Sequence, residues 1–300
     1  MTDSTLDSSA LPAGTMPRRA ALLMLAGALL SGCATTSPEE ALTIPSTTPG
    51  RYSALVIDAS NGKVLHDQNG AAARYPASLT KMMTLFMLFE AMESGRVTPA
   101  TPIPVSAAAA RMPPTKIGFR AGDTIDVDSA VKAMCVKSAN DVAAAVGEFL
   151  GGSEPAFASL MTARARQLGM TATTFRNASG LPDPDQRTTA RDMALLGLAL
   201  RQRFPQHFVY FSARQFTFRG RMVRGHNDLL GRVDGVDGIK TGYIRASGYN
   251  IVTSVKTGGR SLIVVVMGAD SARQRNAHVE DLVRRYLPLA AVGSTALSAG

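Results

Sequence analysis

Apolar and polar residues alternate through residues 51–68 and break at Asn61-Gly62, a dipeptide suited to the tight turn between two antiparallel strands. The pattern predicts a hairpin. Alternation then gives way to KMMTLFMLFEAM, apolar on nearly every side, so residues 78–93 are expected to form a buried helix that ends near Ser94-Gly95. Residues 98–128 carry scattered Pro and Gly with no period and are expected to run irregularly. Residues 129–136 and 141–150 predict two helices separated by Lys137-Ser138-Ala139-Asn140. Ser153-Glu154-Pro155 supplies an N-cap and a first-turn proline for a helix closing at Gly169. Thr189-Ala190-Arg191-Asp192 opens another, running to about Arg203.

Past Arg214 the period changes to that of strands. RQFTFRGRMVRG predicts a hairpin turning at Gly220, and residues 248–255 and 261–267 are β-rich runs joined by Lys256-Thr257-Gly258-Gly259-Arg260. Residues 271–287 predict a closing helix. Strands at both chain ends thus enclose a helical middle. The expected fold class is α+β, a three-layer α/β/α arrangement in which one antiparallel sheet is built from both ends around an inserted helical subdomain.

The first fifty residues break this scheme. Arg18-Arg19 precede an apolar run of eleven residues, 20–30, and then Leu30-Ser31-Gly32-Cys33. A basic start, a short apolar stretch and small residues before a cut describe a secretory signal; spanning a bilayer takes about 20 residues. The paired arginines hint at twin-arginine export, and Met16 is an alternative start. The small pair before Cys33 resembles the bacterial lipoprotein box, which implies lipidation of Cys33 and a membrane-anchored, exported, periplasmic protein. Ala34 at the next position implies sorting to the outer membrane in a cell that has one. Residues 34–50, rich in Ser, Thr and Pro, read as a tether. The expected organisation is a signal peptide over 1–32, a tether over 33–50, a catalytic domain over 51–290 and a disordered tail over 291–300.

With 45% apolar and 18% charged residues the chain is globular. A net charge of +9 suits an anionic envelope polymer or membrane, and no run of clustered Lys and Arg supports nucleic-acid binding. Once Cys33 is lipidated only Cys135 remains, so there is no disulfide framework; its apolar neighbours make it a small core residue.

A Ser-x-x-Lys spacing places a hydroxyl and an amine on one helical face, and an amine can activate a serine nucleophile. It occurs at Ser60/Lys63, Ser78/Lys81 and Ser129/Lys132. The first pair flanks the predicted hairpin turn. The third lies in an ordinary helix, with Lys132 solvated. Ser78/Lys81 opens the buried helix, where Ser78 can also act as N-cap. Lys81 works as a base only when neutral, and burial pushes its pKa down. Ser138-Ala139-Asn140 is the one Ser-x-Asn triplet. Lys-Thr-Gly occurs twice: Lys256 belongs to a turn, whereas Lys240-Thr241-Gly242, followed by Tyr243, suits a strand edge facing a cleft. Three such elements in this order form the set used by penicillin-binding proteins and class A β-lactamases.

The stretches ASLTKMMT, KSANDVAAAVGE, NASGLPD, TTARDMALL and VDGVDGIKTGY–ASGYN resemble the D-alanyl-D-alanine carboxypeptidase family, the low-molecular-weight penicillin-binding proteins, over roughly residues 50–288. The resemblance implies a β-lactamase/transpeptidase-like fold and a serine DD-peptidase that removes the terminal D-alanine from peptidoglycan stem peptides. It implies Ser78 as nucleophile, Lys81 as base and Ser138 as proton relay to the departing amine. By the same resemblance Asn140 orients the substrate amide, Lys240 and Thr241 bind the terminal carboxylate, and Gly242 lets the peptide lie antiparallel on the strand. The N–H groups of Ser78 and Tyr243 form the oxyanion hole. The implied partners are the stem peptide, β-lactams as inhibitors and the membrane through the lipid, without nucleic acid, metal or other cofactor. The chain departs from the family at Ile244 (often Thr), at Gln186-Arg187 where a His is common, and at His226-Asn227 where some members place an arginine.

Other classes fit less well. No Glu-x-x-Leu-Asn-like element lies between Asn140 and Lys240 for a class A β-lactamase, and no Gly-x-Ser-x-Gly elbow exists. The four histidines, His66, His207, His226 and His278, lack metal-site spacing; His226 alone attracts interest. Endopeptidase action on the same fold, or a catalytically weak envelope scaffold, stays open as an alternative.

Overall fold

In the computed structural model, which describes residues 50–293, strands from the two ends of the chain join in one antiparallel sheet. The first hairpin gives β1 (Ser53–Asp58) and β2 (Val64–Gln68) around Asn61-Gly62. Then follow α1 (Lys81–Glu93), β3 (Pro102–Pro104), α2 (Ala107–Ala110), β4 (Thr124–Asp126) and α3 (Val127–Lys132). The helical middle continues with α4 (Asn140–Gly151), α5 (Glu154–Gln167) and α6 (Ala190–Arg203). The last third holds β5 (Gln215–Phe218), β6 (Arg221–Arg224), β7 (Val236–Ile244), β8 (Gly248–Thr257), β9 (Arg260–Ala269) and α7 (Ala272–Tyr286). The main sheet has the order β2-β1-β9-β8-β7, so β9 from the far end of the sequence pairs with β1, matching Val56 to Val264.

Side chains alternate across this sheet, and both faces are buried, which is why its central strands read as unbroken apolar runs. Ala54, Val56, Ile251, Val264 and Val266 pack with Val279, Leu282 and Val283 of α7. Leu55, Ile57, Val252, Ile263 and Val265 face the opposite core, built on α1, α4 and α6. The helix starts follow their capping residues. Ser153, Thr189 and Ser271 each accept a backbone N–H three residues on, at the heads of α5, α6 and α7, as N-cap hydroxyls do.

The sequence expectations need correction in three places. Ser78 does not cap α1; residues Ala77–Thr80 form a separate 3-10 turn, and Thr80 precedes α1 without a side-chain cap. The segment 98–128 is not wholly irregular, because β3 and β4 pair in a two-stranded sheet. Lys132 is not simply solvated: its ammonium pairs with Asp128 at 2.5 Å. The chain continues α3 into a wider π turn over Ala133–Lys137 before Ser138 ends it in a left-handed conformation.

The described residues fall within one compact unit. The other unit, residues 1–39, lies outside the described residues, as do the expected signal peptide, Cys33 and the end of the expected tail. Among the described residues no helix is long and apolar enough to cross a membrane.

Candidate active site

The 3-10 turn that carries Ser78 is clamped from two sides. Asn250 of β8, fully buried, donates through Nδ2 to the carbonyls of Tyr75 (3.1 Å) and Pro76 (3.4 Å), while its Oδ1 accepts from Gly268 N–H. On the other side the loop at 177–181 closes in. Gly180, at φ +86°, comes so near that a Cβ there would stand 1.8 Å from the Ala77 carbonyl oxygen, a contact only glycine permits. Ala77 itself takes φ +49°, a left-handed conformation costly for a residue with a Cβ and characteristic of functional sites. The turn thereby presents Ser78 at the mouth of a cleft of about 500 Å³.

Lys81 lies directly beneath, with no solvent exposure. Its Nζ is 3.2 Å from Ser78 Oγ, 2.7 Å from Asn140 Oδ1 and 2.6 Å from the Ser179 carbonyl. A neutral amine has two N–H donors and one lone pair. Here the two donors have acceptors in Asn140 and Ser179, and the lone pair is left for the Ser78 hydroxyl. Electrostatics point the same way: burial, then the positive charge of Lys240, hold the Lys81 pKa well below that of an ordinary lysine.

Asn140 is held by its neighbours as well as by Lys81. Its Nδ2 donates to the Pro113 carbonyl at 2.9 Å, and its backbone N–H to the Thr115 carbonyl at 2.7 Å. The next residue, Asp141, is fully buried and accepts the N–H groups of Ile117 (3.1 Å), Gly118 (2.8 Å) and Val142 (2.9 Å). A carboxylate at the start of α4 also suits the helix dipole, and it fastens the segment carrying Thr115, part of the cleft wall. Ser138 has φ +60°, and its buried Oγ has no hydrogen-bond partner. A donor left unpaired at the lip of a cleft is costly unless a ligand completes it.

The third element lies on β7, one of the two edge strands of the main sheet. Thr241 and Tyr243 line the cleft, Tyr243 half exposed and packed against Tyr249 with ring centroids 4.4 Å apart. Gly242 faces the nucleophile turn, where an added Cβ would sit 3.1 Å from the Ser78 nitrogen. Lys240 is buried and donates to the Thr241 carbonyl at 2.9 Å; burial pushes its pKa down to about 8. It faces an adjoining cavity of about 440 Å³ that shares Thr241, Gly225, His226 and Asp228 with the cleft.

Every catalytic and substrate-binding position singled out in the sequence therefore falls in one region, and the competing Ser60 and Ser129 pairs fall outside it. Ser60 sits in the first hairpin, bonded to Asp58. Lys256 is an exposed residue near the β8–β9 turn. His226 reaches the cleft, its pKa lowered by burial and then by Lys240 and Lys137. Cys135 has its thiol pushed up to about 12 by burial, which keeps it unreactive. Three further contributors escaped the motif reading. Asn250 and the Ser179 carbonyl fix the nucleophile and its amine. Arg275 of α7, 3% exposed, lines the cleft and donates to Asn276 Oδ1. ASGYN and NASGLPD contain the first two, but nothing in those strings separates a positioning group from its neighbours. Among the described residues no group of three or more His, Cys, Asp or Glu stands together to hold a metal ion.

A buried amine beneath an accessible serine, an unpaired hydroxyl beside it and cationic groups along an open strand edge suit acyl transfer from a peptide with an anionic end. Comparison with known proteins agrees. The family model described as D-alanyl-D-alanine carboxypeptidase matches residues 43–271. The chain is 34% identical over 273 residues to D-alanyl-D-alanine carboxypeptidase DacA of Escherichia coli, covering 87% of this chain and 68% of that one. It is 32% identical over 236 residues to DacF of Bacillus subtilis, covering 77% and 60%. Several of these relatives are thus longer, the chain spanning about 60% of their length. Among solved structures, the carboxypeptidase DacD from Francisella tularensis superposes with a TM-score of 0.76 at 29% identity, covering 80% of this chain and 70% of that one. Penicillin-binding protein D2 from Listeria monocytogenes, in its ampicillin-bound form, gives 0.72 at 30% identity, with 80% and 98% covered.

Proposed function

Because the chain belongs to the D-alanyl-D-alanine carboxypeptidase family, we propose that it is a serine DD-peptidase that removes the terminal D-alanine from peptidoglycan stem peptides and is acylated by β-lactams. The observation that carries this reading is the Ser78–Lys81–Asn140 arrangement, in which the amine's donors are spent elsewhere and its lone pair is left for the serine. Lys81 takes the hydroxyl proton as Ser78 Oγ attacks the carbonyl between the two D-alanines. The N–H groups of Ser78 and Tyr243 take the developing oxyanion, the contribution on which acyl-transfer enzymes depend most. The amide C–N bond then breaks, and Ser138 passes a proton to the departing amine, leaving an ester on Ser78. Water hydrolyses that ester and returns the serine.

Lys240 and Thr241 hold the terminal carboxylate, one by charge and one by its hydroxyl, and Asn140 steers the substrate amide. Gly242 leaves room for the peptide to lie antiparallel on β7. Purified protein incubated with a pentapeptide is expected to release D-alanine, while cross-linked muropeptides stay dimeric. Conversion of the dimers to monomers without release from the pentapeptide would instead establish an endopeptidase.

The protein acts in the cell envelope. We infer further that Cys33 is its lipidated N-terminus and residues 34–50 its tether, on the strength of the Leu30-Ser31-Gly32-Cys33 string. The intact mass of the membrane-extracted chain is expected to match residues 33–300 plus a diacylglyceryl group. A mass for an unmodified chain would remove the anchor.

A further inference from the structure

Beyond the catalytic cleft, the same two chain segments that frame it go on to frame a second hollow. Ser78 lines the cleft, and Tyr75, three residues earlier, lines a neighbouring cavity of about 420 Å³. On the opposite side Tyr243 and Ile244 line the cleft, and Arg245 lines the cavity. Arg51 and Arg74 complete a basic wall. Arg51 is neutralised by Asp270 at 2.7 Å. Among the described residues Arg74 is bonded only to neutral acceptors, Ser53 Oγ and the Tyr52 and Ala73 carbonyls, so no carboxylate among them compensates its charge. A fourth arginine, Arg187, lies with its guanidinium 3.7 Å from the centre of the Tyr75 ring. Arg245, exposed on the β7–β8 turn, has neither hydrogen bond nor ion pair among the described residues. Tyr75 is held in place by Asn250, which also lines the cavity.

The direction of the substrate decides what reaches this hollow. A stem peptide lying antiparallel on β7, with its carboxylate at Lys240 and Thr241 and its scissile carbonyl at Tyr243, sends its upstream residues past Ile244. Strand residues advance about 3.4 Å each, so the residue preceding the two D-alanines comes level with the β7–β8 turn, within reach of a long arginine side chain. We propose that this cavity is an anion subsite in which Arg245, backed by the charge of Arg74, recognises a free carboxylate on the side chain of the residue preceding the D-alanine pair. The enzyme is thereby selective for stem peptides whose third residue is a diacid over those with a basic third residue. A planar guanidinium matches a carboxylate through two parallel hydrogen bonds, and a lysine side chain at the same point meets like charge.

This inference rests on the carboxypeptidase reading, and its test separates the two. Three acetylated tripeptides ending in D-Ala-D-Ala, with L-2-aminoadipate, L-norleucine or L-lysine in first place, differ only in the charge at the end of one side chain. The full-length protein is expected to give a kcat/KM about five- to tenfold higher for the aminoadipate peptide than for the lysine peptide, a ratio that shrinks as salt is raised. Arg245→Glu is expected to bring that ratio to one or below, with the change chiefly in KM. An equal response to the three peptides in the wild type, or a preference that survives Arg245→Glu, overturns the subsite. Failure of the wild type to release D-alanine from any of the three, or to be labelled by penicillin, overturns the carboxypeptidase reading itself and the subsite with it.

Discussion

Ser78→Ala is expected to abolish D-alanine release and covalent penicillin labelling together, each by at least about a thousandfold. The substitution removes one oxygen and leaves almost everything else in place. The backbone N–H of residue 78 remains, the 3-10 turn is still clamped by Asn250 and by the loop at Gly180, and Lys81 keeps its bonds to Asn140 and Ser179. Substrate and β-lactam therefore still dock, but no ester forms. The variant should bind penicillin reversibly and show an unfolding midpoint close to that of the wild type, since among the described residues the hydroxyl's one hydrogen-bonding side chain is the Lys81 amine at 3.2 Å. Gel fluorescence with a labelled penicillin and an assay for free D-alanine read the two losses separately. Labelling that persists in Ser78→Ala would place the acyl group on a different residue.

The second large effect concerns Lys81. Replacing it with methionine, which fills similar space without an amine, is expected to slow acylation about a thousandfold and to erase the acid limb of the pH profile. In the wild type that limb should lie well below the usual lysine value of about 10.4, because burial first and Lys240 second disfavour the charged form. A buried cationic Lys240 is needed for the substrate carboxylate, and its pKa stands at about 8. Acylation should therefore rise with pH as Lys81 loses its proton and fall as pH passes about 8 and Lys240 loses its own. The profile is a bell whose limbs belong to two different lysines. An acid limb that survives Lys81→Met would assign the base elsewhere.

The same shifts set the sign of a stability effect. Both lysines have folded-state pKa values below the unfolded ones, so between those values the unfolded chain binds more protons than the native protein. Stability then rises with pH; for Lys240 this window runs from about 8 up toward about 10.4. The price of holding a base ready under the nucleophile is a native state weakest where both lysines must carry charge.

Much of this site is visible in the sequence because its groups are side chains at fixed local spacings. Ser78 and Lys81 are one helical turn apart, Ser138 and Asn140 flank a helix start, and Lys240-Thr241-Gly242 sits in a strand pattern. The sheet was legible for a similar reason, since turn residues at Asn61-Gly62 and Gly258-Gly259 punctuate strongly apolar strands. What stayed hidden depends on contacts between distant segments or on backbone atoms that carry no residue signature. The Ser179 carbonyl completes the coordination of Lys81 from 98 residues away, and any residue offers a carbonyl. Asn250 reaches back 175 residues to Tyr75. The pairing of β3 with β4 escapes notice because prolines at 102 and 104 lack the N–H that a strand normally offers. The 3-10 turn at Ser78 departs from the expected helix cap because Gly180 and Asn250 hold its backbone from distant segments.

The open edge of β7 carries a hazard apart from its chemistry. A strand with an unpaired side is a template on which any extended chain, including a second copy of this protein, can add itself and start an aggregate. The protein cannot cover that edge without blocking its own substrate. Its protection lies in irregularity and charge: the register slips between Val236 and Gly238, and the strand ends at Ile244 beside the charged Arg245. The regular rail offered to a passing peptide is thus residues 238–244, bounded by a bulge at one end and by a charge at the other.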